Sequence, residues 1–147
     1  MNRRLEALDP LTYQKAVRLF ACFTLATGRE LFIVRTLATA EEQDALYAQG
    51  RTEPGPIVTY VRAGGSWHEI GRAFDVALEE LQTQRPSWST AGDDIGLWRL
   101  LGTLAKVIGL EWGGDFERLV DFGHCHDARG ESLDKARAGY ARQPKEA

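Results

Sequence analysis

Two long segments of the chain repeat apolar residues at helical spacing and are bounded by capping residues. In the first, Asp9 can cap a helix that Pro10 opens, and a broad apolar face continues until Gly28. In the second, apolar residues recur over residues 94–108, and Gly109 ends the pattern. The pattern therefore predicts two core helices.

Shorter segments between those helices carry strand and turn signals. Residues 31–34 are rich in strand-forming side chains, and residues 57–60 are a second short strand candidate after a loop with two prolines. Thr39 and Glu42 have the spacing of a capping box, which predicts a helix over residues 40–50. This part of the chain is expected to place one helix between two strands.

Side chains alternate from residue 73 onward as they do in a strand. One face carries Phe74, Val76 and Leu78, and the other carries Ala73, Asp75 and Ala77. Asp75 thus has small neighbours, which leave room for a ligand. Residues 79–93 and 111–116 are predicted loops, and a further strand is predicted around residues 119–125.

These elements predict one α+β domain over residues 1–147, with a small antiparallel sheet and helices packed against it. From about residue 127 the chain is a polar tail with at most one weak helix. The length suits a single domain, and 44% hydrophobic with 27% charged residues is typical of a soluble globular protein. We expect a monomer.

Charge and cysteine content narrow the partners and the compartment. Eighteen Lys and Arg against twenty-one Asp and Glu give a net charge of -3, so we expect no nucleic-acid partner and no stable membrane association. Cys22 and Cys125 are predicted to be free thiols. Residues 1–10 match a secretory signal poorly, so an extracellular role is expected to need another export route.

Two motifs supply the side chains of a catalytic zinc site. The stretch from Ser66 to Asp75 contains His68, and a second stretch contains Asp121 and His124. Two imidazoles and one carboxylate, with a fourth position left to water, are the usual ligands of catalytic zinc. The remaining carboxylate, Asp121, is then a natural general base.

Taken together, these motifs resemble the zinc L-alanyl-D-glutamate peptidases of bacteriophage lysis, which belong with the D-alanyl-D-alanine carboxypeptidases. The resemblance covers roughly residues 30–126. It rests on Arg35, the segment from Glu42 to Arg51, Ser-x-His-x6-Asp at 66–75, Trp-Gly-Gly-Asp at 112–115 and Asp-x-x-His at 121–124.

The resemblance assigns a role to each candidate residue. It implies that His68, Asp75 and His124 bind Zn²⁺ and that Asp121 is the general base. Arg35 matches an arginine that contacts the scissile carbonyl, where a fixed cation stabilises a developing oxyanion. Ser66 either orients the substrate or hydrogen-bonds its own turn.

The function that the resemblance implies is hydrolysis of an amide bond in the peptide stem of bacterial peptidoglycan, between L-alanine and D-glutamate. The enzyme is expected to be a phage lysis protein that is made in the host cytoplasm and reaches the wall by a separate route. Two alternatives stay open: a carboxypeptidase that releases terminal D-alanine, and a zinc-stabilised module that binds the wall without cutting it.

The sequence departs from the family pattern after His124. The family usually has an aromatic residue and then an acid or amide, whereas this chain has Cys125 and His126. On a strand, His124 and His126 face the same way, so a site formed by His68, His124 and His126, with Asp75 outside the metal, is a rival. Cys125 is expected to be a small core residue.

Three further residues have open roles. Asp115 lies in a glycine-flanked loop and is a second candidate base, although capping of a turn is the preferred interpretation. Trp67 and Trp112 either line a substrate cleft or cover an edge of the core, and tryptophans beside glycine loops more often cover a core.

Overall fold

The computed structural model describes residues 1–142 as four α-helices around a five-stranded antiparallel sheet. The helices are α1 (Pro10–Thr27), α2 (Ala40–Ala48), α3 (Asp94–Ile108) and α4 (Leu133–Tyr140). The strands are β1 (Leu31–Arg35), β2 (Ala73–Glu80), β3 (Arg85–Ser87), β4 (Glu111–Trp112) and β5 (His124–His126). The order is β1-β2-β5-β4, and β3 pairs with the end of β2. The predicted α+β class with a small antiparallel sheet is confirmed.

The helix ends follow the capping residues in the sequence. The Asp9 carboxylate accepts the backbone N–H groups of Leu11 and Thr12, so it satisfies two of the unpaired donors at the start of α1. The predicted capping box of Thr39 and Glu42 opens α2. Gly28 and Gly109 follow α1 and α3 in the left-handed conformation. These local predictions are confirmed.

The core lies between helices α1 and α3 and one face of the sheet. The large side chains of β2 point into it, as their alternation predicts. Its fully buried large residues include Leu19, Phe23, Phe74, Val76, Leu78, Trp98 and Leu101. Each such side chain contributes about 1.5–3 kcal/mol by leaving water. Asp75 is on the opposite face of β2, so the core holds the strand while the acid stays outside it.

The strand predicted at residues 57–60 is wrong. This segment has no ladder partner in the part of the chain that the structure describes, and side chains from and just after α2 bind its backbone instead. Gln43 donates to the Val61 carbonyl, Gln49 to the Pro56 carbonyl and Arg51 to the Thr59 carbonyl. The segment 56–61, called here the rim segment, is therefore held as a loop.

Three other boundaries differ from the sequence prediction. Residues 79–93 are not all loop, because they contain the end of β2 and the short strand β3. The predicted loop at 111–116 begins with β4, which pairs with β5. The strand predicted around 119–125 begins only at His124, since Leu119 has a φ of 50° and residues 121–123 form a turn.

The chain after β5 folds back onto α1 through a buried carboxylate. The Asp127 side chain is 0% exposed and accepts Lys15 Nζ at 2.5 Å and Arg129 Nε at 2.8 Å. Thr12 Oγ1 lies 3.2 Å from the same carboxylate.

The predicted weak helix in the polar tail is α4, and residues 143–147 of that tail lie outside the described residues. None of the helices within residues 1–142 combines the length and apolar character needed to cross a bilayer.

Replacing Asp127 with asparagine is expected to lower the free energy of unfolding by about 3 kcal/mol, because two cations then lose their buried partner. Urea unfolding measures the change. Asp115→Asn is the control, since the Lys106–Asp115 pair has side chains that are 51% and 55% exposed and should contribute under about 1 kcal/mol. Equal losses of unfolding free energy in the two variants would contradict the expected contribution of the buried cluster to stability.

Candidate metal centre

Three side chains from separate parts of the chain converge beside the sheet. His68 lies on a 3-10 turn (Trp67–Ile70), and Gly71, with a φ of 67°, turns the chain into β2, which carries Asp75. His124 begins β5 and is the ladder partner of Asp75. One ligand atom from each of these three residues lies within 4.8 Å of the others. The structure thus brings together the three residues that the sequence singled out as metal ligands.

A backbone carbonyl fixes which nitrogen of His68 faces the cluster. Nδ1 of His68 lies 2.7 Å from the Thr36 carbonyl oxygen, which can only accept, so Nδ1 carries the proton. Nε2 of a neutral His68 therefore presents a lone pair to Asp75 Oδ1, 3.2 Å away. Two acceptors that face each other must share either a proton or a metal cation, and this donor set fits a divalent metal ion.

The same convergence perturbs the titration of the cluster. In the metal-free protein burial acts to raise the pKa of Asp75, but positive charge on the imidazoles of His68 and His124 and the hydrogen bonds from them outweigh it and hold that pKa well below its usual range. Burial acts to lower the pKa of His124, and its contact with Asp75, 2.9 Å from Nδ1 to Oδ1, outweighs this and raises it. The carboxylate is thus held ionised, as a metal ligand must be.

Asp121 lies at the edge of this cluster without belonging to it. Its side chain lines the same cleft as the three ligand residues, and its Oδ1 accepts the Gly123 N–H at 3.2 Å. Burial and the negative charge of Asp75 raise the pKa of Asp121. A carboxylate with a raised pKa beside a metal-binding cluster is suited to accept a proton and to return it.

Gly113, directly after Trp112, explains how the loop of Asp121 can pack so closely. A Cβ at Gly113 would lie 2.4 Å from the Asp121 carbonyl oxygen and 2.9 Å from the His124 Cβ. The Gly113 carbonyl in turn accepts the Asp121 N–H at 3.0 Å. Gly113 thus sets the approach of the two chain segments, a role that the sequence reading did not assign to it.

Arg35 ends β1 and lines the cleft on the opposite side of Asp75 from His124. It is the ladder partner of Asp75 across a break in register, is only 9% exposed, and lines the cleft with Asp75 and Asp121. Its Nη2 donates to Gln43 Oε1 at 2.9 Å. The structure therefore places a fixed cation near the candidate ligands, and sequence analysis assigned no role to its partner Gln43.

Ser66 also lines the cleft, but its hydroxyl is engaged in its own turn. Its Oγ accepts the His68 N–H at 3.3 Å, and Ser66 and Glu69 form a capping box around the 3-10 turn. These contacts support the interpretation that Ser66 stabilises its own turn. A substrate-binding role for Ser66 stays a prediction.

The cleft itself has a volume of about 750 Å³. Its walls are largely apolar and come from the rim segment and from the loop before β5. They include Ile57, Val58, Tyr60 and Val61 on the first side and Phe116, Leu119 and Val120 on the second. These side chains are partly exposed, so the cleft offers an open, largely apolar surface beside the candidate ligands.

The remaining candidates lie outside the ligand cluster. Asp115 is exposed and binds Lys106 at 2.8 Å, and it neither caps a turn through its side chain nor lines the cleft. Trp67 lines the cleft, whereas Trp112 is buried in the core. Cys125 is buried, and burial raises the pKa of its thiol, so it is an inert core residue as predicted.

His126 shares a strand face with His124 but is engaged elsewhere. Its ring stacks on Trp67 with centroids 5.3 Å apart, and its Nε2 lies 3.1 Å from a carboxylate oxygen of Glu111. A neutral His126 can donate Nε2–H to Glu111, which leaves only a lone pair on Nδ1, and Nδ1 has no partner within the described residues. The rival ligand set that includes His126 is therefore not the one assembled in this structure.

Acid should destabilise the metal-free protein through His126. Burial and the nearby His124 and His68 lower the pKa of His126 to about 4, and a proton on Nδ1 would find no acceptor among residues 1–142. Between about pH 6.5 and 4 the unfolded chain binds this proton and the folded chain does not, so stability should fall by up to about 3 kcal/mol. Urea unfolding in chelator should show a shallower pH dependence for His126→Gln, and an unchanged slope would contradict the argument.

Comparisons with known proteins agree with this arrangement. A family model described as D-alanyl-D-alanine carboxypeptidase matches residues 61–127, which contain all three candidate ligands and Asp121. Over 121 residues the chain is 38% identical to the peptidoglycan L-alanyl-D-glutamate endopeptidase CwlK of Bacillus subtilis, covering 80% of this chain and 71% of that protein. It is 28% identical over 109 residues to the L-alanyl-D-glutamate peptidase of Listeria phage A118. That match covers 74% of this chain and 34% of the phage protein, so the chain spans about a third of its length.

Solved structures share the fold at low sequence identity. The L-Ala D-Glu endopeptidase ChiX of Serratia marcescens superposes with a TM-score of 0.58 at 17% identity, covering 85% of this chain and 84% of that one. The vancomycin resistance D,D-pentapeptidase VanY, solved in complex with Zn(II), gives 0.57 at 15% identity, covering 92% and 79%. These structures show the fold, and the 38% identity to CwlK, together with the family match over residues 61–127, shows that the chain belongs to the M15 family of D-alanyl-D-alanine carboxypeptidase-type peptidases.

Proposed function

We propose that the protein is a zinc-dependent endopeptidase that cleaves the bond between L-alanine and D-glutamate in the peptide stem of peptidoglycan. The observation that carries the proposal is the convergence of His68, Asp75 and His124 in an open cleft that also holds Asp121. The choice of bond is supported by the 38% identity to a protein named for that activity.

Each residue of the cleft has a task in such a reaction. Asp121 takes a proton from the attacking water and later gives it to the leaving amine of D-glutamate. Arg35 stabilises negative charge on the carbonyl oxygen of L-alanine as the carbon becomes tetrahedral. His68, Asp75 and His124 hold the metal ion. When bound, zinc polarises a carbonyl oxygen and makes water more acidic. The products are a free carboxylate and a free amine.

Zinc is the proposed ion because two imidazoles and one carboxylate are a usual ligand set for catalytic zinc. A structural relative was solved with Zn(II), which supports the same choice.

Removal of the metal is expected to abolish hydrolysis and to lower the melting temperature, and added zinc should restore both. An ion that binds only the folded state stabilises it, by about 2.7 kcal/mol at 100 times its Kd. Activity assays and thermal melts with and without chelator measure the two effects. Full activity in protein shown by elemental analysis to be metal-free would contradict the zinc proposal.

The experiment that tests the proposed bond is mass spectrometry of digested peptidoglycan. An L-alanyl-D-glutamate endopeptidase exposes new amino groups on D-glutamate, and Asp121→Asn digested in parallel should expose none. Release of single D-alanine with an otherwise intact stem would instead establish the carboxypeptidase alternative. Wild-type protein that binds the wall but releases no product would establish the non-catalytic module.

We further propose a lysis role, in which residues 1–147 act as one monomeric domain made in the cytoplasm. The phage relative supports this context. Expression inside bacterial cells should leave the culture intact until the membrane is permeabilised by a second agent, after which turbidity should fall. Lysis without permeabilisation would contradict the separate route to the wall. Sedimentation equilibrium tests the monomer.

A further inference from the structure

Gln43 directly contacts Arg35, the residue proposed to stabilise the oxyanion. It lies on α2, is 2% exposed, and its Oε1 accepts Arg35 Nη2 at 2.9 Å. The hydrogen-bond partner of this guanidinium is thus a neutral amide, which adds no negative charge of its own beside Arg35. Among the nine residues of α2, Gln43 supplies the buried side chain.

The other end of the same amide binds the rim segment. Gln43 Nε2 donates to the Val61 carbonyl at 2.8 Å. Arg35 can only donate and a carbonyl can only accept, so the two partners together fix which end of the amide is oxygen. One buried side chain therefore connects β1, α2 and a wall of the cleft.

We propose that Gln43 is a positioning residue that sets the direction of the Arg35 guanidinium and joins it to the rim segment. The inference rests on the proposed function, because the role of Arg35 belongs to it. A glutamine suits the position for two reasons. An apolar side chain would leave a buried guanidinium N–H unpaired, and a glutamate would neutralise Arg35 and direct a carboxylate at the Val61 carbonyl.

Gln43→Leu is expected to lower kcat by about 10- to 100-fold, since a misplacement of about 1 Å in a catalytic group has effects of that order. The KM should change much less if Arg35 acts mainly on developing charge. Gln43→Glu keeps an acceptor that holds the guanidinium in place, although it weakens the charge of Arg35, so its kcat should lie between those of Gln43→Leu and wild type. The melting temperature of each variant is measured alongside, so that a fold defect is recognised.

Gln49→Leu is a matched control at the end of the same helix. Gln49 Nε2 donates to the Pro56 carbonyl at 3.0 Å and has no hydrogen bond to Arg35. Its loss removes a contact between helix and rim segment of the same kind but leaves the guanidinium in place. We expect kcat within about twofold of wild type for this variant.

The decisive measurement is a double-mutant cycle with Arg35→Ala. If Gln43 acts through Arg35, Gln43→Leu should lower kcat 10- to 100-fold in the wild-type background and less than about threefold in the Arg35→Ala background. Equal losses in the two backgrounds, or equal losses for Gln43→Leu and Gln49→Leu, would overturn the inference. A wild-type protein that cleaves no stem bond would instead overturn the proposed function.

Discussion

Asp121→Asn is expected to lower kcat for stem cleavage by about 10²- to 10⁴-fold while the zinc content stays at the wild-type level. Asparagine keeps the shape of the side chain and its hydrogen bond from the Gly123 N–H, but it cannot accept a proton. The three candidate ligand atoms come from other residues, so the metal should remain. Elemental analysis and steady-state kinetics on one preparation separate these two effects.

The pH dependence of the wild-type enzyme gives the same residue a second test. Burial and the charge of Asp75 raise the pKa of Asp121, so the base begins to lose its function at a higher pH than a free aspartate would. The kcat should therefore fall as the pH drops through that raised pKa. Asp115→Asn serves as control, because Asp115 is exposed and binds Lys106, and it should leave both kcat and the pH profile unchanged. A loss with Asp115→Asn equal to that with Asp121→Asn would refute the assignment of the base.

The sequence was most informative where a feature depends on a few neighbouring residues. The caps at Asp9 and Thr39 place helix starts, because a side-chain oxygen needs only a backbone N–H two or three positions away. The alternation in β2 places Asp75 on the face away from the core, because strand geometry has a period of two. Short-range rules of this kind fixed the helices and the candidate ligand residues.

Features that depend on distant partners were missed. Residues 57–60 have the composition of a strand. Side chains of Gln43, Gln49 and Arg51, however, bind carbonyl groups of the rim segment that the backbone of a partner strand could otherwise bind. Nothing local to the segment indicates this competition. The link from Thr12 to Asp127 also joins residues 115 positions apart, so no spacing in the sequence points to it.

The candidate metal centre shows the same division between features set by neighbouring residues and features set by distant ones. Spacing within each motif suggests which residues bind a metal, but only the fold can choose between Asp75 and His126 as the third ligand. The ladder pairs Asp75 with His124, whereas the ring of His126 packs against Trp67 and turns its Nε2 to Glu111. The sheet register and the aromatic contact thus favour Asp75 over His126 as the third ligand, and neither is visible in the motif itself.

That choice gives the second large prediction. Asp75→Asn is expected to weaken zinc binding by more than about 100-fold and to abolish hydrolysis. Loss of a residue that only hydrogen-bonds a metal ligand weakens metal binding by about 10- to 100-fold. An amide oxygen lacks the charge that Asp75 places between two imidazoles. Calorimetric titration of the metal-free protein with zinc measures the affinity, and thermal melts should show that added zinc no longer stabilises the variant.

His126→Gln is the matched variant that decides between the two ligand sets. If Asp75 is the third ligand, His126→Gln should bind zinc within about threefold of wild type, because Nε2 of His126 is directed to Glu111 and a glutamine amide can also donate there. If His126 is the third ligand, the ranking reverses, with zinc retained in Asp75→Asn and lost in His126→Gln. The two variants therefore assign the centre by opposite outcomes, and the assignment does not depend on which bond of the stem is cut.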